Sequence, residues 1–391
     1  MKKKRPTLQD VADLVGVTKM TVSRFIRNPE QVSGALRDSI QAALDELGYI
    51  PNRAPDILSK SKSHAIGVLL PSLTNQVFAE VIRGIETVLE PEGYQTMLAH
   101  FGYSPELEEQ RIATLLSYNV DALIISESQH TPKAQKMLEN AGIPVIEIMD
   151  STSSSPLHII GIDNCSAARE MTQTMIDHGH RNIVYFAARM DQRTLQKIEG
   201  YKQAMQANNL HSIIKETHSA SSFTLGAQFL DEVLTQHPDI DGIFCTNDDL
   251  AIGALYACQK KGLKVPEQIG IAGFHGHDIA RAMVPLLATV ITPREEMGRL
   301  AAEALLKGLQ GAPFQKQVIE LSYQIECGES IKAIWCYTTW TPISLAYLKS
   351  KPRPQSRHPN WHDCHSKYAL EASTPPRCLN ILPAQPQAVR C

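Results

Sequence analysis

Through residues 7–50 apolar side chains recur every three or four positions, which predicts three short helices. Thr7-Leu8-Gln9-Asp10 opens the first, with Thr7 as N-cap and Asp10 at the third helical position, an acidic variant of the capping box. Val11, Ala12, Leu14 and Val15 supply its apolar face, and Gly16 breaks it. Thr18 caps a second helix over 19–27, with Val22 and Ile26 facing inward. Ser33 caps a third, carrying Leu36, Ile40, Ala43, Leu44 and Leu47 at helical spacing, and Gly48 ends it. Residues 51–63 then read as a polar linker around one short helical turn, the segment Arg53-Ala54-Pro55-Asp56-Ile57-Leu58.

After residue 63 the pattern changes. Compact Val/Ile/Leu-rich strands at 64–70, 95–100, 122–126, 144–149, 182–188, 242–246 and 270–274 alternate with amphipathic helices such as 76–89, 106–117, 165–178, 194–208, 225–236 and 248–261. That alternation predicts parallel sheets covered by helices on both faces. There are too many strands for one ordinary open sheet. The body is therefore read as two doubly wound parallel-sheet α/β subdomains side by side over 64–330, closed by a strand at 317–325. Ligands of such sheets bind at the carboxyl ends of the strands, and a cleft between two lobes is a natural site.

Composition divides the chain further. Its 391 residues carry a formal net charge of -3, but residues 1–62 hold 11 Lys/Arg against 7 Asp/Glu, while 63–330 hold 19 against 32. A basic head on an acidic body points to a polyanionic partner for the head. No apolar run reaches the ~20 residues that span a bilayer. The basic start has no apolar stretch behind it, so it is not a secretory signal. The expected compartment is the cytoplasm, with no membrane partner. The eight cysteines form no disulfide framework.

Two helices joined by a short Gly-containing turn make a helix-turn-helix candidate, a weak signal alone. It is strengthened by the polar and basic second helix and by the arm Lys2-Lys3-Lys4-Arg5. Thr7-Leu8-Gln9-Asp10-Val11-Ala12, Gly16-Val17-Thr18-Lys19-Met20-Thr21-Val22-Ser23-Arg24 and Leu47-Gly48-Tyr49-Ile50-Pro51-Asn52 together resemble the lac-repressor family of bacterial transcription factors. Later blocks agree, among them Asp163-Asn164, Gly179-His180, Thr246-Asn247-Asp248 and Ile271-Ala272-Gly273-Phe274. The resemblance covers about residues 5–328, and within the family it points to the branch that represses gluconate operons. It implies a helix-turn-helix head over 1–50, a hinge over 51–63, and a two-lobed effector-binding and dimerisation core with the fold of periplasmic binding proteins. Lys19, Met20 and Arg24 would read bases. Thr7, Thr18, Thr21, Ser23, Tyr49 and Asn52 would hold phosphates, and Leu58 would wedge a base step in the minor groove. Thr18 and Ser33 are good helix caps whatever else they do. Arg27 stands where relatives often carry Asn.

In the body the resemblance nominates Phe78, Arg193, Lys197, Asn247 and His275 for the effector, with Ser72 and Asp163 as weaker candidates. Lys197 occupies a place where relatives usually have Arg, and His275 replaces a usual aspartate. Losing an anion there suits an anionic ligand, and Lys supplies a point charge. Asn247 can both donate to and accept from hydroxyls, and it also reads as a helix N-cap. A sugar acid such as gluconate satisfies all three. The expected partners are thus double-stranded operator DNA, a second copy of the chain, and a small sugar acid.

No Gly-rich phosphate loop, nucleophile elbow or metal-ligand spacing appears, so no cofactor and no enzymatic activity are expected. Three rivals remain in the sequence. A periplasmic solute-binding protein would need a signal and lack the basic head. A sugar-acid enzyme with an appended head would turn its ligand over. A corepressor-dependent regulator, or one for another carbohydrate, would differ in effector or in the sign of its response. Beyond Ser330 the composition shifts again. Residues 331–391 hold all three tryptophans and no glycine, and show neither sustained periodicity nor the leucine heptads of a tetramerising tail. They read as a disordered appendage from a shifted reading frame or read-through. Trp361-His362-Asp363-Cys364-His365 only superficially resembles a metal cluster.

Overall fold

The computed structural model describes residues 5–52, 57 and 62–333. Outside those residues lie the arm at 2–4, the hinge positions 53–56 and 58 with the expected wedge Leu58, and the tail from 334 onward with its Trp361–His365 cluster.

The head holds α1 (Leu8–Val15), α2 (Lys19–Arg27) and α3 (Gly34–Leu47). Its capping box is formed: the Asp10 carboxylate accepts the Thr7 N–H at 2.6 Å and the Thr7 hydroxyl at 2.7 Å. Gly16 ends α1 at φ +73°, a left-handed conformation that costs glycine little. The Thr18 hydroxyl accepts the Thr21 N–H at 3.2 Å and starts α2. Three details differ from the sequence reading. Leu14, assigned to the apolar face of α1, is 49% exposed, and only Val11 and Ala12 are deeply buried there. Ser33 stands at the N-cap of α3 but makes no side-chain cap bond. Phe25, one turn on from Val22, is the second deeply buried residue of α2, while Ile26 packs at the margin of the head core. Both face inward, and the larger ring takes the centre.

The body contains two six-stranded sheets. The first lobe holds β1 (Ala65–Leu70), α4 (Gln76–Leu89), β2 (Gln95–His100), α5 (Pro105–Ser117), β3 (Ala122–Ile125), α6 (Pro132–Glu139), β4 (Val145–Asp150) and β5 (His158–Ile162). The second holds α7 (Asn164–Asp177), β6 (Ile183–Ala188), α8 (Gln192–Ala207), β7 (Ile213–Thr217), α9 (Phe223–Gln236), β8 (Gly242–Cys245), α10 (Asp248–Lys261), β9 (Gly270–His275), α11 (Asp278–Ala282) and β10 (Ala288–Ile291). α12 (Arg294–Leu309) then returns to pack on α4. Strands β11 (Val318–Glu320) and β12 (Gln324–Glu326) finish the sheets.

Strand orders are β11-β5-β4-β3-β1-β2 and β12-β10-β9-β8-β6-β7. The same order occurs twice, so each lobe repeats the other, and β4 in one corresponds to β9 in the other. Every described strand pair is parallel except β10–β12. Central strands such as β3, β6 and β9 are buried at every position, as sheets covered on both faces require.

The single strand expected at 317–325 is instead two short ones. Its β-like pattern is continuous, but the chain crosses from the first sheet to the second at Leu321–Tyr323, and periodicity cannot report which sheet a strand joins. With the passages after β5 and after β10, the backbone runs between the lobes three times. α4 and α12 approach closely through glycines. A Cβ on Gly84 would meet the Glu295 carbonyl oxygen at 2.0 Å, and one on Gly298 would meet that of Val81 at 2.1 Å.

The first lobe also buries a charged cluster. Nδ1 of His130 lies 3.1 Å from both carboxylate oxygens of Glu108 on α5, and Nε2 lies 3.4 Å from Glu147 on β4. The His130 side chain is only 3% exposed. Burial alone would lower its pKa, but the two carboxylates override burial and lift it to about 9. The bound proton therefore stabilises the fold fully below the ordinary value of 6.5, and that contribution fades as pH rises through about 9. Replacing His130 by Ala strands two carboxylates in the core. The expected loss is about 3–5 kcal/mol in urea unfolding at neutral pH. Adding Glu108→Gln to that chain should recover part of it, and equal stability of His130→Ala and the parent would refute the charged arrangement.

Candidate functional site

Thr18, Lys19, Met20 and Arg24 are exposed on α2, with Thr21 half-buried beside them. Met20 is 70% exposed and stands beside Lys19 on the solvent face of α2. Thr18 and Thr21 hold their hydroxyls 3.0 Å apart at the start of the helix. The other expected phosphate-binding residues gather elsewhere. Thr7, Ser23, Tyr49 and Asn52 line one groove of about 1020 Å³ together with Arg5 and Arg27. The sequence reading did not place either arginine with this group. The groove joins the start of α1, the middle of α2 and the turn after α3, a juxtaposition invisible to local pattern.

Between the lobes, the carboxyl ends of β4, β6, β8 and β9 and the loop after β1 converge on a cavity of about 40 Å³. Phe78, Arg193, Lys197, Asn247 and His275 all line it, with Asn75, Tyr103, Met149, Arg189, Asp191, Thr194 and Thr246. Ser72 and Asp163 do not line it. The Ser72 hydroxyl accepts the Thr74 and Asn75 N–H groups at 3.2 Å and shapes the turn that presents Asn75. Asp163 caps α7 by accepting the Ser166 N–H at 2.9 Å. Asn247 has both expected roles open to it: its Oδ1 caps α10 at Leu250, and its amide donates to Ser221 at 2.7 Å.

Arg193 and Lys197 stand one turn apart on α8. The Arg193 guanidinium crosses the cleft, donating to the Ser126 carbonyl at 2.5 Å and to Glu127 at 2.7 Å, both just beyond β3 in the other lobe. Asp191, the N-cap of α8, lies 3.5 Å from it. Burial pushes the Glu127 carboxyl up to about 7, against the pull of Arg193. Lys197 donates to the Thr246 carbonyl at 3.1 Å and to Nε2 of His275 at 3.3 Å, and sits 3.8 Å from the centre of the Phe274 ring. Burial draws its ammonium down to about 7, with Asp191 opposing. Lys197 is thus a titrating cation, and Arg193 is the permanent one. Burial, then Lys197 and Arg294, hold His275 well below its usual range, so it is neutral and accepts from the lysine.

Backbone strain collects here too. Met149 at φ +88° and His275 at φ +105° occupy the ends of the equivalent strands β4 and β9, and Arg189 follows β6 at φ +68°. Such conformations cost a non-glycine residue about 1–3 kcal/mol each and cluster at functional sites. Arg189 Nε, Ser126 Oγ and Gln196 Oε1 are buried without hydrogen-bond partners among the described residues. Of the three, only Arg189 lines the cavity, and its Nε is a donor available to a hydroxyl there.

Comparison with known proteins settles the family. Residues 7–52 match the model of bacterial regulatory proteins of the lacI family, and residues 63–326 match that of periplasmic binding proteins and the sugar binding domain of the LacI family. The chain belongs to the LacI family. It is a DNA-binding transcriptional regulator and not an enzyme. The HTH-type transcriptional regulator GntR of Escherichia coli (strain K12) is 57% identical over 331 residues, which is 85% of this chain and all of that relative. Among solved structures, a LacI-family transcriptional regulator from Silicibacter pomeroyi is 35% identical with a TM-score of 0.78, covering 84% of this chain and 100% of its own. The transcriptional regulator CelR–cellobiose complex is 28% identical with a TM-score of 0.60, covering 83% and 100%. Among the described residues of this LacI-family regulator, no helix is long and apolar enough to cross a membrane.

The cavity's chemistry predicts a pH dependence. As pH falls through about 7, Lys197 gains its proton and Glu127 loses its charge, so the surplus positive charge of the cleft grows. Affinity for a sugar acid should then rise by up to about tenfold per pH unit per coupled proton, while a neutral polyol shows no such slope. Calorimetric titration across that range reads it. In Lys197→Met the slope should fall by the share that Lys197 carries. An acid-binding profile that is flat in the parent chain would refute the assignment.

Proposed function

We propose that the chain is a cytoplasmic, homodimeric repressor that binds a near-palindromic operator and releases it when a sugar acid, of which gluconate is the best candidate, occupies the cleft. The observation that carries the effector class is the charge of the cavity. Arg189, Arg193 and Lys197 line it against a single carboxylate, Asp191, and His275 adds no negative charge. That surplus favours an anion, while Asn75, Thr194, Thr246 and Asn247 suit hydroxyls. That the CelR relative was solved as a complex with cellobiose supports a carbohydrate-like effector for this chain.

On DNA, the exposed Lys19, Met20 and Arg24 of α2 enter the major groove, and Arg24 can pair bidentately with guanine. The groove of Thr7, Ser23, Tyr49 and Asn52, with Thr18 and Thr21 at the start of α2, takes the phosphates. Leu58 from each subunit wedges the minor groove between two half-sites. The partner subunit docks on exposed apolar residues of α10 and its neighbour loop, where Tyr256 is 52% and Val284 is 82% exposed. A two-fold dimer matches a two-fold operator.

A cavity of about 40 Å³ holds a few waters and no sugar acid. The lobes must therefore part and re-close around the effector, which changes the placement of the first lobe that receives the hinge. Coupling of this kind typically amounts to ~1–3 kcal/mol per effector event. Gel-shift titration of operator DNA with and without gluconate tests the reading. Operator affinity should fall roughly 5–150-fold with ligand, and equal affinities across millimolar ligand would sink the effector assignment. Arg24→Ala should cost about 1–3 kcal/mol and relax discrimination at one base pair, whereas Thr7→Ala should weaken all sequences alike. Uniform weakening by Arg24→Ala would remove it from the base-reading set.

A further inference from the structure

Glu127 belongs to none of the groups that line the cavity, yet it determines what Arg193 can do there. It stands at the carboxyl end of β3 in the first lobe, with its side chain 15% exposed, and accepts a 2.7 Å bond from Arg193 of the second lobe. The segment that carries it is fixed at both ends. The N–H of Ser126 bonds the Leu69 carbonyl at 3.2 Å, and His130 is clasped between Glu108 and Glu147. Glu127 is thus presented by a rigid loop. Arg193 is held in place from its own side by Asp191 at 3.5 Å and by its position one residue into α8 from Gln192. The geometry is that of a bound carboxylate: a buried guanidinium facing an acidic group delivered from across the cleft.

We propose that Glu127 is an internal competitor for the effector's carboxylate, joining the two lobes through Arg193 and giving way when an anionic ligand takes that guanidinium. This rests on the sugar-acid reading of the cavity. The surplus charge in the cleft selects anions, and the Glu127–Arg193 pair sets how strongly an anion must bind to be retained. A neutral sugar leaves the pair intact. An acid offers Arg193 an equivalent partner, so the cleft re-forms around it with Glu127 released from the pair. Other contacts across the cleft do not compete in this way. Gln196 donates to Asp150 at 2.7 Å, and Arg189 lies 5.1 Å from the Tyr103 ring centre, but neither pair places a carboxylate on a permanent cation of the cavity.

The full chain with Glu127→Gln tests it, since the substitution keeps the shape and removes the charge. Calorimetric titration with gluconate should show roughly 5–10-fold tighter binding than the parent, the scale by which a charge-assisted bond exceeds the neutral one that glutamine keeps. Sorbitol, which has the same carbon chain without the carboxylate, should show no gain. Glu127→Asp, with a shorter reach but the charge kept, should fall between. Weaker gluconate binding by Glu127→Gln would make Glu127 a ligand contact and overturn the proposal, as would an equal gain for sorbitol. Amide hydrogen exchange without ligand gives a second reading that does not depend on the effector. Residues 126–131 and 189–196 should exchange faster in Glu127→Gln. If the parent binds no gluconate, the sugar-acid reading fails by itself, and exchange then decides the latch: unchanged protection in both segments overturns it.

Discussion

Two cations one helical turn apart, Arg193 and Lys197, are buried on the first turns of α8, and the cleft is organised by the need to compensate them. An isolated buried charge is costly enough that it either finds a partner or surrenders its proton. Arg193 cannot lose its proton, so it recruits carboxylates from both lobes, Glu127 and Asp191. Lys197 takes the other course. It is given a carbonyl, a neutral imidazole and an aromatic face, and its pKa falls to about 7. One side chain becomes a bridge between lobes and the other a cation whose charge depends on its surroundings. Both follow from a position on a helix whose N-terminus faces the opposite lobe.

The fold makes that position unavoidable. Parallel strands that all end at one edge deliver their loops to a common line, and repeating the unit sets two such lines face to face. The equivalence of β4 and β9 extends to detail, since each carries a left-handed residue at or next to its carboxyl end, Met149 and His275, and both line the cavity. Within a lobe the packing is tight. Gly84 and Gly298 let α4 and α12 meet backbone to backbone, which leaves little compliance between them. Between lobes the covalent links are only the three passages of chain. Motion is therefore concentrated at those passages and at the polar pairs across the cleft, which a ligand can exchange for its own contacts.

Much of this was legible in the sequence. The Thr7 cap and the Gly16 stop located both ends of α1, and the Thr18 cap located the start of α2, because those signals are local. Central strands announced themselves as unbroken apolar runs. The five principal effector candidates came from matching positions to a family and do share one cavity. What the sequence withheld is non-local. Ser126 and Glu127 lie 67 and 66 residues from Arg193 along the chain, and no spacing links them. Arg5 and Arg27 join the head groove only through the packing of three helices. The split of the last strand between two sheets was hidden for the same reason. The reading of Lys197 as a plain cation also missed burial, which periodicity on an amphipathic helix cannot grade when both faces are covered.

The identity of residue 275 shows how these levels meet. An aspartate there would face Lys197 as a full charge, hold its proton on and cancel it. The cavity would then carry as much negative as positive charge around the lysine and would suit a neutral sugar whose hydroxyls bond both. Histidine keeps an acceptor for Lys197 at 3.3 Å but brings no charge, because burial and the neighbouring cations hold it neutral. The lysine is left partly uncompensated, and its proton is worth most when an anion arrives. On the proposed reading, an anionic ligand would supply to Lys197 what the aspartate would have supplied, and to Arg193 what Glu127 supplies in this structure. On the sugar-acid reading proposed above, selectivity for acids over neutral sugars would follow from removing one charge from the wall while keeping an acceptor for Lys197.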